Sequence, residues 1–483
     1  MRLATVILAA GKGTRMKSRT AKVLHQVAGR PLIDYPVMLA RALGATRTVC
    51  VLGHQAAEVE AAITARFGPG SVEVVLQEEQ RGTGHAVAQA APLLRSFEGQ
   101  ILILYGDTPA LTEDMLRRLV AASEGRTLGM VTARLTDPRG YGRVIRDASG
   151  QVQRIVEERD CRPAEREIRE INAGIYCVRA DFLFPALAEL RPENAQGELY
   201  LTDVVARAAA ASPVATVEAT EEEVMGVNDR VDLERADRTL RRRVAENLMR
   251  GGVTIHLPET CRIDAGVSVG PDSEIGPLVV LAGQTRIGTG VVIEQGSVLV
   301  DAVVADGAHI KPYSVIHESE VGPEAQVGPF SHLRPGSQLG AHVRVGNFVE
   351  TKKARLGDGA KASHLSYLGD AEIGRDVNIG CGTITCNYDG YEKFRTVIEE
   401  GAFIGSDTQL VAPVRVGAGA VVGAGTTVTK DVPPGALALT RAPQRAIEGY
   451  AERKRQEREA RAEEGAKHAT NPGETPVRAG KGG

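Results

Sequence analysis

The stretch Ile263-Asp-Ala-Gly-Val-Ser-Val269-Gly-Pro-Asp-Ser-Glu-Ile275-Gly-Pro-Leu-Val-Val-Leu281-Ala-Gly-Gln-Thr-Arg-Ile287 places an aliphatic residue at every sixth position. The step continues through Ile293 and Leu299. It returns in Val321, Val327, Leu333, Leu339 and Val345, and again in Ile398, Ile404, Leu410, Val416, Val422 and Val428. Gly follows many of these positions, as in Ile275-Gly276, Ile287-Gly288, Ile404-Gly405 and Val416-Gly417. A period of six fits neither the helical nor the strand repeat. It fits a hexapeptide β-helix, in which each coil has three short strands and three corners. Solenoids of this kind often carry acyl transfer, so the repeat bears on function as well as fold.

Around that half, the composition sets bounds. A chain of 483 residues is too long for one core and predicts two or three domains. Charged residues are 25% and the net charge is −3, with no basic bias toward nucleic acid. The first apolar run, Leu3 to Ala10, is too short to span a bilayer, so no stable membrane insertion is expected. No secretory or lipidation motif is visible, and a cytoplasmic protein is expected. The cysteines, at 50, 161, 177, 261, 381 and 386, form no Cys-x-x-Cys pair, which argues against a zinc site or a disulfide framework. Aromatic residues are only 4%, in keeping with the narrow interior of a β-helix.

Residues 1–229 read as alternating strands and helices. Leu3–Leu8, Val49–Leu52, Val72–Leu76, Ile101–Leu104 and Leu128–Ala133 are short apolar runs, with helical stretches such as 32–43 and 84–95 between them. That alternation predicts an α/β, Rossmann-like domain with a mostly parallel sheet and ligands at the C-terminal strand ends. Residues 230–253 read as a connecting helix ending at Gly251-Gly252, and 254–445 as the β-helix. The hexads break between about 385 and 397, where a loop is expected to project from a corner. Residues 446–463 read as a charged helix, and 464–483 as a disordered tail.

Leu8-Ala-Ala-Gly11-Lys-Gly13-Thr-Arg15-Met follows the first strand. Small residues let backbone amides approach a polyphosphate, and Arg15 and Lys22 add charge suited to one. The string is neither a Walker A pattern nor a dinucleotide fingerprint. Gln77-Glu-Glu-Gln-Arg-Gly82-Thr83 offers groups able to read a base edge, and Tyr105-Gly106-Asp107 ends a hydrophobic strand where a carboxylate can hold Mg²⁺ between phosphates. Tyr141-Gly142-Arg143, Glu157, Asn172-Ala-Gly174 and Asn228 follow. Singly, each has a plainer reading: Asp107 as a helix cap, Asn172 in a turn, Glu157 as a solvated charge. In this order and spacing they resemble the nucleotidyltransferases that join sugar 1-phosphates to nucleoside triphosphates.

Residues 1–445 as a whole resemble the bifunctional uridylyltransferase and acetyltransferase family of bacterial UDP-N-acetylglucosamine synthesis. The resemblance implies a left-handed β-helix and the residue roles that follow. Leu8, Ala10, Gly11, Arg15, Gln77, Gly82, Thr83, Tyr105 and Gly106 meet UTP or the UDP-sugar, and Lys22 neutralises phosphate. Gly142, Glu157 and Asn172 bind the N-acetylglucosamine moiety, and Asp107 and Asn228 hold Mg²⁺. Where the family usually has Leu-Pro before the lysine, this chain has Thr20-Ala21, which bears on the stiffness of that loop.

Within the hexads, the polar set Arg334, Lys352, His364, Tyr367, Asn378, Asn387, Tyr388 and Lys393 departs from repeat grammar. Surface polarity explains Arg334 or Lys352 alone, but not the cluster Lys361-Ala-Ser-His364-Leu-Ser-Tyr367. By the resemblance, His364 is the general base that takes a proton from the amine of glucosamine 1-phosphate. A free imidazole titrates near working pH and suits that task. Glu350 orients the imidazole and Tyr388 supports the oxyanion. Arg334, Lys352, Tyr367 and Lys393 hold the sugar phosphate, while Asn378 and Asn387 hold hydroxyls or the amine. Asn387, Tyr388, Ser406, Ala424 and Arg441 line the acetyl-CoA groove, with Cys381 where the family usually has Ala. Direct attack by the amine needs no acyl-enzyme, which argues against a catalytic Cys381. The resemblance also implies a homotrimer with sites between solenoids. Two other readings stay open on the residues: a nucleotidyltransferase with a structural or regulatory β-helix, and a non-catalytic assembly subunit.

Overall fold

The computed structural model describes residues 2–469. In the N-terminal half the apolar runs become one mixed sheet. Its order is Ala215–Ala219, Leu128–Arg134, Glu170–Arg179, Gln100–Tyr105, Leu3–Ala9, Arg47–Leu52, Glu73–Leu76. Leu3–Ala9 pairs in parallel with both Arg47–Leu52 and Gln100–Tyr105. Glu170–Arg179 runs antiparallel between Gln100–Tyr105 and Leu128–Arg134, so the sheet is not purely parallel. Leu3–Ala9 is buried along its whole length, as a strand covered on both faces must be. Helices pack on each face, around Leu94, Leu183 and Val204 on one side and Val37, Ile63 and Leu116 on the other.

Two helical expectations need correction. The helix expected over 84–95 is two short helices, Thr83–Ala88 and Ala91–Leu94. Pro92 lacks the amide that would continue the ladder, so it starts a new helix instead. The terminal helix runs Tyr450–Ala469, so residues 464–469 are helical rather than part of a tail. Ala, Glu and Lys sustain it across Gly465. The rest of the expected tail, 470–483, lies outside the described residues.

From Thr254 on, strands of mostly two or three residues alternate with corners. Arg262 pairs with Val280, and Val280 with Val298, eighteen positions at each step. Three hexads therefore make one coil, and the chain forms a left-handed parallel β-helix. Its core is one continuous column of Ile, Val, Leu and Ala, from Val253 to Val432. The long axis leaves each coil touching mainly its neighbours.

The helix Arg230–Arg250 joins the two halves. Asp229 caps it by accepting from the amides of Val231 and Asp232 at 2.8 and 3.0 Å. Ala236 and Leu240 pack with Met16, Val27 and Leu32 of the N-terminal half, whereas Ala245 packs into the β-helix core. Arg241 bonds Asp237 and Asp264, each at 2.7 Å, tying the helix to the first coil. Among the described residues no helix is long and apolar enough to cross a membrane.

Ile404 is fully buried within the column. Burying such a side chain contributes about 2 kcal/mol, and an isolated carboxylate there costs several more. Ile404→Asp is expected to unfold the adjoining coils while the N-terminal domain keeps the catalysis that the resemblance implies for it. Separate assays of the two implied activities on the soluble variant check this, and equal loss of both contradicts the independence of the halves.

Candidate functional sites

The first site forms at the C-terminal ends of Leu3–Ala9 and Gln100–Tyr105. Leu8 and Tyr105 are register partners, and the Gly106 amide donates to the Leu8 carbonyl at 2.9 Å. The chain leaves these strands as Ala10-Gly11 and Gly106-Asp107, side by side. Gln77 is buried, and its Nε2 donates to the Gly82 carbonyl at 3.2 Å. Gly82 has φ +101°, and a Cβ there would lie 2.6 Å from the Leu199 carbonyl, so no other residue fits this turn. Thr83 Oγ1 accepts from the Leu201 amide at 3.1 Å.

Apart from the Gln77–Thr83 loop, two cations meet two oxygens. Lys22 Nζ pairs with Asp107 Oδ2, the two side chains being only 14% and 19% exposed. Arg15 Nη2 donates to Asn228 Oδ1 at 2.8 Å. The Val227 amide donates to the Asp107 carbonyl at 2.9 Å, which holds Asn228 beside Asp107 although 121 positions separate them. These hard oxygens, already attracting positive charge, fit a magnesium ion. Among the described residues no group of three or more His, Cys, Asp or Glu could hold a metal. Mg²⁺ takes one or two protein oxygens and completes its shell with phosphate and water, so the fit rests on Asp107 and Asn228 alone.

Gly142, Glu157 and Asn172 come together at neighbouring strands. The Asn172 amide donates to the Gly142 carbonyl at 2.8 Å, and Asn172 Nδ2 donates to Tyr176 Oη at 2.7 Å. Glu157 accepts from Thr202 Oγ1 at 3.1 Å. Burial raises the Glu157 carboxyl above its ordinary range, and the Thr202 hydroxyl opposes that shift. Tyr105 packs against Gly174. The sequence reading did not single out Gln80, Thr202 or Tyr176. Gln80 Nε2 donates to the Ala10 carbonyl at 2.7 Å and so braces the Ala10-Gly11 turn. Gln80 and Thr202 act across long separations, and Tyr176 meets Asn172 four positions away across a shift in the strand's register.

The second site lies along one corner of the β-helix. Asn347 is the register partner of His364, and the Gly382 amide bonds the Leu365 carbonyl at 2.8 Å, so Cys381 stacks on His364. Ile379 pairs with Ile404 and Ile404 with Val422, so Cys381, Ser406 and Ala424 also stack. His364, Cys381, Ser406 and Ala424 thus form a line along the solenoid, all exposed. Arg441 Nη2 lies over Gly423 at the far end of that line.

On the neighbouring face, Glu350 and Tyr367 are register partners. Glu350 Oε1 accepts from Arg334 Nη1 at 2.7 Å. Its bond is therefore to Arg334 and not to His364, which stands opposite Asn347. Asn347, the register partner of His364, lies three positions before Glu350 on the same strand. Lys393 and Arg334 crowd Lys352, and this cationic neighbourhood pushes the lysine below its ordinary range. Such a cluster attracts a dianionic phosphate.

The loop 387–395 interrupts the coils. Asn387 Nδ2 donates to Asp370 Oδ2 at 2.5 Å and anchors its base. Tyr388 and Lys393 bridge across it, leaving Tyr388 and Tyr391 exposed. Asn378 pairs with Lys361 and Phe403, on the face before the His364 corner.

The chain matches the MobA-like NTP transferase domain over residues 5–210, the GMPPB C-terminal domain over 257–356, and the bacterial transferase hexapeptide repeat over 395–430. It is 54% identical over 453 residues to the bifunctional protein GlmU of Pelobacter propionicus, covering 93% of this chain and 98% of the relative. It is 54% identical to the bifunctional protein GlmU of Anaeromyxobacter sp. strain Fw109-5, covering 98% and 97%. It is 53% identical to that of Trichlorobacter lovleyi, covering 94% and 98%. Similarity of this extent across both halves, together with a nucleotidyltransferase site and a hexapeptide site on the same polypeptide, makes this chain a member of the bifunctional GlmU family.

Proposed function

We propose that the chain makes UDP-N-acetylglucosamine in two steps, a precursor for cell-envelope glycans. The β-helix transfers acetyl from acetyl-CoA to the amine of glucosamine 1-phosphate. The N-terminal domain then joins the N-acetylglucosamine 1-phosphate to UTP and releases pyrophosphate. The observation that carries this reading is the stack of His364, Cys381, Ser406 and Ala424 beside the Arg334, Lys352 and Lys393 cluster. A β-helix serving only as a scaffold needs neither.

In the acetyl step, the amine nitrogen attacks the thioester carbonyl, the C–N bond forms, and the C–S bond breaks to release CoA. His364 takes the amine proton. Arg334, Lys352, Tyr367 and Lys393 hold the phosphate, and Asn378 and Asn387 the sugar. Ser406, Ala424 and Arg441 receive the coenzyme, with Arg441 meeting one of its phosphates. Tyr388 supports the developing oxyanion.

In the uridylyl step, a phosphate oxygen of the sugar attacks the α-phosphorus of UTP and the bond to pyrophosphate breaks. Both partners are anionic, so in-line positioning and neutralised charge supply most of the catalysis. Gln77 and the Gly82–Thr83 turn hold the base, Leu8 to Gly11 approach the phosphates, and Gly142, Glu157 and Asn172 receive the sugar. Arg15 and Lys22 turn from their carboxamide and carboxylate partners to the triphosphate. Asp107 and Asn228 would hold Mg²⁺, which supplies charge neutralisation across the phosphates.

The assembly is proposed to be a cytoplasmic homotrimer built through the β-helix. Tyr313, Phe330 and Phe348 stack up the His364 corner, their rings 5.5 and 5.6 Å apart, and Leu365 continues the line. They are 48% to 61% exposed, an apolar ridge that a second copy of this chain would cover. Phe330→Glu with Phe348→Glu is expected to yield monomers in sedimentation equilibrium, to abolish acetyl transfer and to spare uridylyl transfer. An intact trimer counts against the ridge as the interface.

The overall reading is tested by supplying glucosamine 1-phosphate, acetyl-CoA, UTP and Mg²⁺ together. Release of both CoA and pyrophosphate with formation of UDP-N-acetylglucosamine is the expected result. If pyrophosphate appears from N-acetylglucosamine 1-phosphate but CoA never does, the β-helix is structural and the reading fails for that half.

A further inference from the structure

Arg143 is the largest fully buried side chain, at 1% exposure. A guanidinium stays charged at working pH, so enclosing one demands partners. Its Nη2 lies 2.6 Å from Glu158 Oε2, and its Nη1 donates to the Tyr141 carbonyl. Its Nε has no acceptor among the described residues. An apolar side chain of similar volume avoids both the desolvation and the orphaned donor, and such replacements in buried ion pairs are often neutral for stability. Stability alone therefore does not account for an arginine here.

Its two contacts fall on the segments that carry Gly142 and Glu157. Tyr141, bonded through its carbonyl, immediately precedes Gly142, whose own carbonyl receives the Asn172 amide at 2.8 Å. Glu158, whose Oε2 faces the guanidinium as an ion pair without a hydrogen bond, immediately follows Glu157. The two segments are in close contact: a Cβ on Gly142 would lie 2.8 Å from Ile155 Cγ2 and 3.4 Å from Glu157 Oε2. Arg143 also starts a strand that pairs with Val156 and meets Ile171, so its backbone is fixed to both neighbours.

We propose that Arg143, clamped between the Tyr141 carbonyl and the Glu158 carboxylate, is a positioning residue. It sets the spacing of Gly142 and Glu157 and thereby the fit of the sugar phosphate. The proposal rests on the reading of Gly142, Glu157 and Asn172 as the N-acetylglucosamine subsite. The base and triphosphate contacts at Gln77, Gly82 and Lys22 belong to other loops, so a loosened clamp is felt by one substrate only.

The test is steady-state kinetics of uridylyl transfer on the full chain with Arg143→Met, Arg143→Lys and Glu158→Gln. Arg143→Met and Glu158→Gln are expected to raise KM for N-acetylglucosamine 1-phosphate about ten-fold, with KM for UTP held within about two-fold. Arg143→Lys, which keeps the charge but not the two-pronged geometry, is expected to fall between them and wild type. A KM for UTP rising in parallel, or unchanged KM values throughout, overturns the clamp. If Arg143→Met does not fold, Glu158→Gln decides, since Glu158 is 31% exposed and its amide is isosteric. Glu157→Gln separates the two ideas. If it leaves KM for the sugar phosphate unchanged, the subsite reading fails. If it raises that KM while the Arg143 and Glu158 variants do not, only the clamp fails.

Discussion

Asp107→Ala is expected to lower kcat for uridylyl transfer by about a hundred-fold or more at saturating UTP and Mg²⁺. The carboxylate lies at the end of Gln100–Tyr105, paired with Lys22 and linked by its backbone to Val227, next to Asn228. Its removal deletes an oxygen proposed to hold Mg²⁺ and leaves the Lys22 charge without its partner. The lost interaction acts on charge that develops between UTP and the attacking phosphate, so the defect belongs in kcat more than in KM. Acetyl transfer by the same protein should match wild type, because Asp107 is remote from the β-helix corner. Pyrophosphate release under saturating conditions is the measurement, and a near-normal kcat would sink the assignment.

His364→Ala is expected to reduce acetyl transfer by about two to four orders of magnitude, the usual contribution of a positioned general base. The imidazole is exposed on the corner, one residue before Leu365, in line with Cys381 and Ser406. An ammonium has no lone pair with which to attack a thioester, and the proton of the forming amide must leave. Alanine at this position removes the acceptor and little else, since no buried packing depends on it. CoA release from acetyl-CoA and glucosamine 1-phosphate measures the loss. Uridylyl transfer from UTP to N-acetylglucosamine 1-phosphate should be unchanged, and retained acetyl transfer would assign the base elsewhere.

The β-helix was legible because inward-facing side chains recur on a fixed period, from Ile263 to Val428, and few other folds demand it. The N-terminal strands were legible as apolar runs, though the antiparallel course of Glu170–Arg179 leaves no mark on them. Pro92 stood in plain view, and its break of the 84–95 helix follows from its missing amide. The partner of Glu350 was not legible from motif order, which speaks only of neighbours along the chain. The coil length gives its register neighbours, since Val315, His332, Glu350 and Tyr367 stand above one another at intervals of seventeen or eighteen, but not the diagonal bond to Arg334, two positions beyond His332. The same interval relates Asn347, His364 and Cys381. Thr202 and Tyr176 stay hidden, since their contacts arise from the fold of the sheet and not from any repeat.

The helix Arg230–Arg250 has one consequence for traffic between the two reactions. With Ala245 embedded in the solenoid and Ala236 and Leu240 beneath the nucleotide loop, it behaves as a strut about 30 Å long, not as a tether. A strut forbids the swinging-arm handover that a flexible hinge permits.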